Sequence, residues 1–257
     1  MTTLKIATWN VNGIRAREAQ VLEWVARERP DVICLQELKS AVAQVPAALC
    51  ELQGYRCYWH GVRAYSGVGL HIRTESFAEE PLFHHPSFDF ETRIVTAQLK
   101  NMIFASVYVP NGGKDFLAKM DFLRRIEDFI AEVHARGMRI VLCGDMNIAR
   151  TERDVHPKER NPAVVGQRPD ERELFERILA RGLVDIGRAL DPDNDTLFTW
   201  WAPWRKMRER NIGWRLDYVL ASEFVAAKAA RCTAYREVGT SDHAPVIAEF
   251  DLDDAAR

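Results

Sequence analysis

The chain has 257 residues, of which 47% are hydrophobic and 28% are charged. These fractions are ordinary for a globular protein of one large domain or two modest ones. The formal net charge is −2, so nucleic-acid binding cannot be argued from overall charge and would need a local basic patch. No run approaches 18 consecutive apolar residues, so we expect no membrane-spanning helix.

The amino terminus and the cysteines bear on the compartment. Residues 1–6 lack the basic start and apolar core of a signal peptide, so we expect none. The five cysteines are scattered without a CxxC pair, and Cys34 and Cys143 lie in apolar, strand-like runs. This pattern favours reduced thiols in a cytoplasmic protein over a disulfide framework or a zinc site.

The first part of the chain predicts a strand, a helix and a second strand. Residues 5–10 have the pattern of a strand, and residues 17–29 have helical periodicity that ends at Pro30. Residues 32–35 form an apolar run typical of a strand buried on both faces. Glu37 comes almost directly after this run, so an acid is expected at the strand end.

The middle of the chain predicts three strands and one long helix. Residues 58–72 contain three glycines before an alternating apolar stretch, which indicates a loop followed by a strand. Residues 93–99 and 102–109 are rich in β-branched and apolar residues and predict a hairpin. Apolar residues recur at helical spacing over residues 120–133, which predicts a helix that Gly137 ends.

An apolar strand followed by two polar side chains is central to the functional argument. Residues 140–143 are apolar, Gly144 ends the run, and Asp145 and Asn147 follow. If the chain is still extended there, the two polar side chains face one spot, at a place where α/β sheets tend to bind ligands. The alternative is an Asx turn that simply leaves the strand.

The last part of the chain predicts a long loop, a helix and two strands. Residues 149–167 are polar and contain proline, and a loop of that length in a compact domain is usually functional. A helix is expected from Pro169, and strands are expected at residues 214–220 and 246–250. Strands alternate with helices and no linker separates the halves. We therefore predict one α/β domain over residues 1–257, with two packed sheets and helices outside them.

Polar side chains collect at the ends of the expected strands. A set that is rich in carboxylates and free of cysteine suits a hard cation, Mg²⁺ or Mn²⁺, rather than zinc. Glu37 is the best single ligand candidate, supported by Asp242 and Asn10. His243 titrates near neutral pH, and a carboxylate such as Asp217 would fix its tautomer. The set comprises Asn10, Asn12, Glu37, Tyr108, Asn111, Asp145, Asn147, Asp217, Asp242 and His243.

Each of these residues also has a structural explanation when it is taken alone. Glu37 could cap a helix or a loop, and Tyr108 could be a half-buried aromatic with its hydroxyl in water. His243 could be a hydrogen-bonded structural histidine. The individual residues leave both interpretations open.

Seven motifs, in order along nearly the whole chain, resemble the exonuclease III family of DNA-repair nucleases. They are WNVNGIR, LQE, YSGV, YVPNG, GDMN, GWRLDY and SDHAP. GDMN and SDH are shared by the wider endonuclease/exonuclease/phosphatase superfamily, whereas YVPNG and GWRLDY are specific to its abasic-endonuclease branch. The resemblance implies a four-layered α/β sandwich with mixed sheets. It also implies a metal-dependent phosphodiesterase that cuts 5′ to abasic sites or trims 3′-blocked ends, as a 3′–5′ exonuclease or 3′-phosphatase, leaving 3′-hydroxyl and 5′-phosphate.

The same resemblance implies roles for the matched residues at the metal and the attacking water. Glu37 would hold the metal, with Asn10 and Asp242 close by. Asp145 would orient or deprotonate the water, and Asn147 would hold the water or the phosphate.

Three further residues would handle the charge of the phosphate, again by resemblance. Tyr108 would bond the phosphate, and His243, paired with Asp217, would stabilise the charge that develops as the bond breaks. Asp145, His243 and Tyr108 all stay open as the general base.

A segment near residue 200 interleaves tryptophans with cations and predicts a DNA-contacting surface, since cations bind phosphates and flat rings pack on a sugar or base. The alternative is a tryptophan core beneath a solvated basic face. Strict strand alternation separates Trp214 and Leu216 from Asp217, so a shared cleft requires the strand to twist or begin late. The cations of the segment are Arg205, Lys206, Arg208, Arg210 and Arg215, and the predicted DNA-binding residues are Asn12, Arg15, Asn111, Lys114, Trp200, Trp204, Arg205, Lys206, Trp214 and Leu216.

Val165 bears on substrate preference. By the resemblance, and counting back from Pro169, either Val165 or Gly166 is expected beside the abasic pocket, where efficient abasic cutters of the family tend to carry small residues. The moderate bulk of Val165 leaves open whether internal abasic cleavage or 3′-end trimming dominates.

Two other functions compete with the repair nuclease. A phosphatase or phosphodiesterase acting on lipids or nucleotides would share only the GDMN and SDH motifs, and the tryptophan–arginine segment argues against it. A binding protein that had lost catalysis would lack acids at the strand ends, where this chain has them. We therefore expect a monomer that acts on damaged double-stranded DNA and has no membrane partner.

Overall fold

Apolar strands build two six-stranded sheets, which a computed structural model describes for residues 2–252. Sheet 1 has the order β11 (Ala229–Ala234), β12 (Val246–Leu252), β1 (Thr2–Asn10), β2 (Val32–Gln36), β4 (Val68–Arg73), β3 (Tyr55–His60). Sheet 2 has the order β5 (Leu82–His84), β6 (Ile94–Leu99), β7 (Met102–Tyr108), β8 (Arg139–Asp145), β10 (Asp217–Ser222), β9 (Leu183–Asp185). Both sheets are mixed, since β1 and β2 pair in parallel, as do β7 and β8, and the other described pairs are antiparallel.

Six α-helices lie within residues 2–252 and pack on the two sheets, and the first four of them in the chain cover the outer faces. The helices are α1 (Glu18–Glu28), α2 (Ala47–Cys50), α3 (Phe116–Ala135), α4 (Pro169–Leu179), α5 (Ile186–Leu190) and α6 (Glu223–Ala226). Helices α1 and α2 share an apolar core with sheet 1, and α3 and α4 share one with sheet 2. A third core fills the space between the sheets. The predicted four-layered α/β sandwich with two packed mixed sheets is therefore confirmed.

The inner strands of the two sheets also touch through polar groups. The Gln36 amide donates to the Ser106 hydroxyl at 3.0 Å, and that hydroxyl donates to the Leu35 carbonyl at 3.2 Å. All three residues are fully buried. Because an unpaired buried polar group is costly, these bonds fix how β2 lies against β7.

Helix α3 shows why the clearest sequence pattern was predictable. Its apolar residues face sheet 2, and the Asp115 carboxylate accepts from the Ala118 N–H at 2.9 Å, which caps the first turn. Gly137 follows the helix with a φ of 70°, a left-handed conformation that glycine adopts without strain.

Two expected elements differ in the structure. Residues 58–60 belong to β3 rather than to a loop, because this half-exposed edge strand lacks a clean apolar alternation. The strand expected from Trp214 begins at Asp217, because the Arg215 side chain is buried in an ion-pair network instead of lying on a sheet face.

Short or half-exposed strands were not predicted at all: β5, β9 and β11. Within residues 2–252, no helix has the length and apolar character needed to cross a bilayer. The single domain expected over residues 1–257 includes residues 1 and 253–257, which lie outside the described residues.

Gly144 provides a test of the β7–β8 packing next to Asp145. A methyl group there would lie 1.9 Å from the Val107 carbonyl oxygen, so Gly144→Ala must push the two strands apart. We expect a loss of at least about 3 kcal/mol in the free energy of unfolding, measured by urea denaturation. Gly137→Ala is the control, because it meets open space and tests only its φ of 70°. It should cost about 1–2 kcal/mol. Equal losses in the two variants would contradict the packing account.

Candidate active site

Strand ends from both sheets meet at one edge of the molecule. Parallel β1 and β2 end side by side, as do parallel β7 and β8. Strand β10 is antiparallel to β8, so its first residue lies opposite the last residue of β8. The residues that these ends, and the turn before β12, bring together are Asn10, Glu37, Tyr108, Asp145, Asp217 and His243.

Glu37, Asp145 and His243 form the centre of this cluster, with one ligand-type atom of each within 4.8 Å of the others. The Asn10 side-chain nitrogen donates to Glu37 at 3.0 Å and to Asp145 at 2.9 Å. Its oxygen accepts from the Asn12 N–H at 3.0 Å. In this arrangement Asn10 presents a donor to the site rather than an oxygen ligand.

The charge on Asp145 is held in a crowded acidic environment. Burial raises the pKa of Asp145 and the charge of His243 lowers it; with the carboxylates of Asp217 and Glu37 also raising it, the pKa is about 7. Concentrated carboxylates of this kind are what a divalent cation neutralises, so the donor set fits a hard metal ion. Asp145 therefore belongs both to the predicted catalytic residues and to the candidate metal group.

His243 is paired with Asp217 across the two sheets. Its Nδ1 lies 2.8 Å from the Asp217 carboxylate, and both side chains are buried. Burial alone would lower the pKa of His243, but the carboxylates of Asp217 and Asp145 outweigh it and raise that pKa to about 10. Thr199 orients the acid, donating to Asp217 at 2.7 Å.

Glu37 sits in a strained turn beside a lysine. Its φ is 52° and that of Lys39 is 49°, a region that non-glycine residues rarely adopt. Burial opposes ionisation, but His243, the Asn10 amide and Lys39 hold the pKa of Glu37 below its usual value. Lys39 lies 2.7 Å from the Glu37 carboxylate. Backbone strain of this kind clusters at functional sites, which supports a role for this turn.

Tyr108 rests on a buried arginine. The Arg93 guanidinium lies 4.9 Å from the centre of the Tyr108 ring and is almost fully buried. Burial and the neighbouring carboxylates of Glu37 and Asp145 raise the pKa of Tyr108 well above its usual value. The hydroxyl therefore stays protonated and acts as a hydrogen-bond donor, with the Glu37 carboxylate as its acceptor.

Asn147 supports Asp145 directly. Its N–H donates to Asp145 at 2.9 Å, which is an Asx turn, and its φ of 51° shows that the chain is no longer extended. Its side-chain nitrogen donates to the Val109 carbonyl at 2.8 Å, and its oxygen accepts from the Asn111 amide at 3.3 Å. The Asx turn is therefore the interpretation that the structure shows, and the turn, rather than an extended strand, brings the Asn147 side chain to Asp145 at 3.4 Å. The predicted role of Asn147 toward water or phosphate stays a prediction.

Asp242 lies beside the central group rather than in it. Its carboxylate accepts from the Asn12 amide at 2.7 Å and from the Trp200 indole N–H at 3.0 Å. Burial is outweighed by His243, Trp200 and Asn12, which together hold the pKa of Asp242 below its usual value. Asp242 orients these side chains in the structure, and its predicted part in holding a metal stays a prediction.

Aromatic rings form a wall beside this group. Trp200 and Trp214 pack edge to face with ring centres 5.5 Å apart, and Leu216 packs with them. Because β10 begins at Asp217, Trp214 and Leu216 precede the strand and do not follow its alternation of faces. These aromatic and apolar side chains and Asp217 can therefore line the same cleft. The loop that contains Gly166 packs against these rings, since a methyl group added at Gly166 would lie 3.1 Å from the Trp214 ring. Half-buried Val165 precedes it, as expected for a residue near the pocket.

The basic segment divides into exposed and structural parts. Trp204 is 59% exposed, and Arg205 and Lys206 beside it are exposed. Arg15, Lys114 and Asn111 are also exposed, whereas Asn12 is half-buried. The predicted DNA contacts of these residues stay predictions.

Three other members of the segment serve the fold, which corrects the interpretation of the whole segment as a DNA surface. Trp201 is buried, and Arg208 donates to backbone carbonyls, including that of Val238 at 2.9 Å. Arg215 is buried between acids, donating to Asp154 at 2.7 Å. Their polar groups are already paired, so they are poor candidates for phosphate contacts.

Sequence reasoning missed several residues that support the site. Lys39 carried a usable signal, since it lies two positions after Glu37 and has the opposite charge. Thr199 and Arg93 carried none, because each meets its partner only through the fold.

Comparison with known proteins agrees with this geometry. Residues 7–243 match the model of the Endonuclease/Exonuclease/phosphatase family. The chain belongs to this family. It is 34% identical over 251 residues to DNA repair nuclease APEX1 of Danio rerio, covering 95% of this chain and 81% of that protein. It is 33% identical to an exodeoxyribonuclease of Bacillus subtilis, and the match covers 95% of this chain and 98% of that protein. These relatives place it in the exonuclease III branch that the motifs indicated.

Longer relatives and solved structures extend the comparison. The chain spans only 37% of Recombination repair protein 1 of Drosophila melanogaster, with 32% identity over 97% of its own length. It superposes on an AP endonuclease from Archaeoglobus fulgidus with a TM-score of 0.87 and 30% identity, covering 97% of this chain and 100% of that one. It superposes on a variant of the 3′ phosphatase NExo from Neisseria, solved with product DNA hairpin, with a TM-score of 0.88, 31% identity and the same coverage.

The His243–Asp217 pair of this family member yields a testable titration. In metal-free protein we expect His243 to stay protonated up to about pH 10, and Asp217→Asn to lower its pKa by several units. In the wild type the raised pKa contributes stability that is full below about pH 6.5 and is lost as the pH rises through about 10. Imidazole NMR shifts against pH measure both pKa values.

Ser106→Ala is the control for general loosening, since Ser106 also bonds across the sheets but has no bond to His243. That variant should leave the His243 pKa unchanged. An unchanged pKa in Asp217→Asn would show that Asp217 does not hold the imidazolium.

Proposed function

We propose that this protein hydrolyses phosphodiester bonds of damaged double-stranded DNA, cutting 5′ to abasic sites and clearing 3′-blocked ends as a 3′–5′ exonuclease and 3′-phosphatase. The products are a 3′-hydroxyl and a 5′-phosphate. The observation that carries the proposal is the convergence of Glu37, Asp145 and His243 within 4.8 Å, beside the Trp200–Trp214 wall. The relatives named as AP endonuclease, exodeoxyribonuclease and 3′ phosphatase support the choice of DNA as substrate.

The phosphate is received by groups that keep their protons. Tyr108 is a neutral phenol that donates a hydrogen bond to a phosphate oxygen, and His243 is an imidazolium held by Asp217. Both offset the negative charge that repels an attacking water and that grows as the phosphorus becomes five-coordinate. Asp217 supports this by keeping the positive charge on His243.

Asp145 handles the water. Asp145 is a buried carboxylate whose two oxygens are fixed by the Asn147 N–H and the Asn10 amide, so it accepts the proton in a defined orientation. The water attacks phosphorus, its proton moves to Asp145, and the bond to the 3′ oxygen breaks; that oxygen then takes a proton from solvent to become the 3′-hydroxyl. Asn10 thereby couples the orientation of Asp145 to that of Glu37.

The metal assignment follows from the donors. Glu37 would hold a Mg²⁺ or Mn²⁺ ion, with Asn10 and Asp242 close by, and Asp145 would stay available to take the proton. When bound, such an ion supplies positive charge for the phosphate and the leaving oxygen. We also propose a cytoplasmic monomer with one domain, supported by the scattered free cysteines and by the shared core between the two sheets.

Selection of an abasic site rests on the aromatic wall. An extruded sugar without a base fits a small apolar pocket, whereas a nucleoside is too large for it. Trp200, Trp214 and Leu216 form one side of the pocket. Val165 lies on the loop that faces them, directly before Gly166. Trp204, which is exposed, would wedge into the duplex, as apolar side chains do in proteins that kink DNA.

The direct test uses two DNA substrates. One is a duplex with a single internal abasic site, and the other is a nicked duplex with a 3′-phosphate; each is incubated with Mg²⁺ or with chelator. Wild type should process both only with the metal, and Glu37→Gln should lower kcat at least about 100-fold on both, because it removes a charge from the site but keeps its shape. Lys100→Ala lies at the far end of sheet 2 and should leave both rates unchanged. Full turnover in chelator would rule out the metal-dependent reaction.

A salt titration tests where the DNA lies. Duplex affinity should fall steeply with salt, and replacing Arg205 and Lys206 by alanine should reduce the slope of log K against log salt by about 2. The matched control replaces Arg136 and Lys100, two cations at the opposite end of sheet 2 from Asp145. A slope that changes equally in both double variants, or in neither, would place the DNA elsewhere.

A further inference from the structure

A fully buried ion pair lies directly beneath the candidate active site. Lys119 on α3 and Glu171 on α4 form a salt bridge, and both side chains are 0% exposed. Removing two charges from water is costly and is repaid only by good geometry and further hydrogen bonds. The partners of each charge therefore indicate what the pair is for.

The lysine holds two backbone carbonyls of the site. Its Nζ donates to the Asn147 carbonyl at 2.8 Å and to the Asn111 carbonyl at 3.2 Å, while Glu171 takes the third position. An ammonium has three protons, so all of its donors are used. Asn147 in turn bonds Asp145 through its N–H. Lys119 thus fixes the backbone on which the predicted catalytic acid depends.

The glutamate holds the loop on the other side. Its Oε2 accepts from the Gly166 N–H at 2.7 Å and from the Arg168 N–H at 3.2 Å. The Gly166 carbonyl accepts from the Ala149 N–H at 2.7 Å, which ties this loop to the chain after Asn147. Glu171 thus fixes the turn that carries Val165.

The space between these segments is filled. A methyl group at Gly112 would lie 2.7 Å from Cδ of Lys119 and 3.2 Å from Cγ1 of Val165. The Asn111–Gly112 turn is therefore wedged between the stem of the lysine and Val165. Movement of any one segment would displace the others.

We propose that the Lys119–Glu171 pair is a positioning device that sets the distance between the Asp145–Asn147 turn and the Val165 wall of the pocket. This inference rests on the proposed function. The pair sets kcat. It also sets the ratio of the rate at abasic sites to the rate at 3′ ends, because an abasic sugar must enter the pocket and a 3′ end need not. Without the pair, two carbonyls and two N–H groups lose their partners and the segments relax.

The test replaces both charges at once, with Lys119→Met and Glu171→Met in one protein, so that no isolated charge remains in the core. We expect kcat to fall roughly 100-fold, as a misplacement of about 1 Å produces, and KM to change much less. The ratio of abasic cleavage to 3′-phosphate removal should also shift. Independently of activity, amide exchange at Gly166 and Ala149 should accelerate at least about tenfold.

A second ion-pair site between the same two helices provides the control. Glu127 on α3 bonds Arg177 and Arg181, at the end of α3 and α4 remote from Asn111. Glu127→Gln should leave kcat, the substrate ratio and exchange at Gly166 as in wild type.

Three outcomes are decisive. Wild-type kcat and exchange in the double variant would overturn the inference, and so would equal losses in Glu127→Gln, which would mean general loosening of the helices. A wild type without activity on either DNA would instead contradict the proposed function. In that case the exchange at Gly166 still decides whether the pair positions the loop.

Discussion

Two buried hydrogen bonds join the two sheets at the edge where the candidate active site lies, and the rest of the site depends on them. His243 from sheet 1 bonds Asp217 from sheet 2 at 2.8 Å, and Asn10 bonds Asp145 at 2.9 Å. Charged and amide groups at this depth are tolerated only when they are paired, so the two sheets must end at the same edge and in this register. The packing of the sheets and the assembly of the site are therefore one structural requirement.

The same requirement explains the electrostatics of the site. Three carboxylates, those of Glu37, Asp145 and Asp217, lie close together, and burial disfavours the charged forms of Glu37 and Asp145. His243 and Lys39 compensate part of this charge, and a divalent cation would compensate more. The remaining negative charge attracts a cation, while the neutral Tyr108 and the positively charged His243 can bind a phosphate. The site is therefore suited to bind a metal and a phosphate together. The left-handed φ of Glu37 adds backbone strain at the same place.

Much of this arrangement was predictable because it depends on local patterns. Apolar runs ending in polar residues placed Glu37 and Asp145 at strand ends, and helical periodicity placed α3. The motifs then indicated the family, and the family implied the four layers. Edge strands such as β9 were missed because three residues carry too little pattern to distinguish a strand from a turn.

The rest depended on partners that lie far apart in the chain. Arg215 resembled a DNA contact because it lies among tryptophans, but it is bonded to Asp154 and Asp185, 61 and 30 residues away. The same pairing makes β10 begin at Asp217. Strand alternation therefore does not apply to Trp214, which can line the same cleft as Asp217. In the sequence, Lys119 is an ordinary charged position of a long helix. Nothing near it in the chain indicates that its charge pairs with Glu171. Long-range ion pairs of this kind cannot be derived from periodicity.

The central claim is that water, oriented by Asp145, attacks phosphorus at this meeting of strand ends. A single turnover on an abasic duplex in water enriched in ¹⁸O tests it most directly, with mass spectrometry of both DNA fragments. We predict one ¹⁸O atom in the 5′-phosphate of the downstream fragment and an unmodified 3′-hydroxyl on the upstream one. An unlabelled 5′-phosphate with an unsaturated sugar fragment on the upstream 3′ end would mean elimination at the sugar, and would contradict the account.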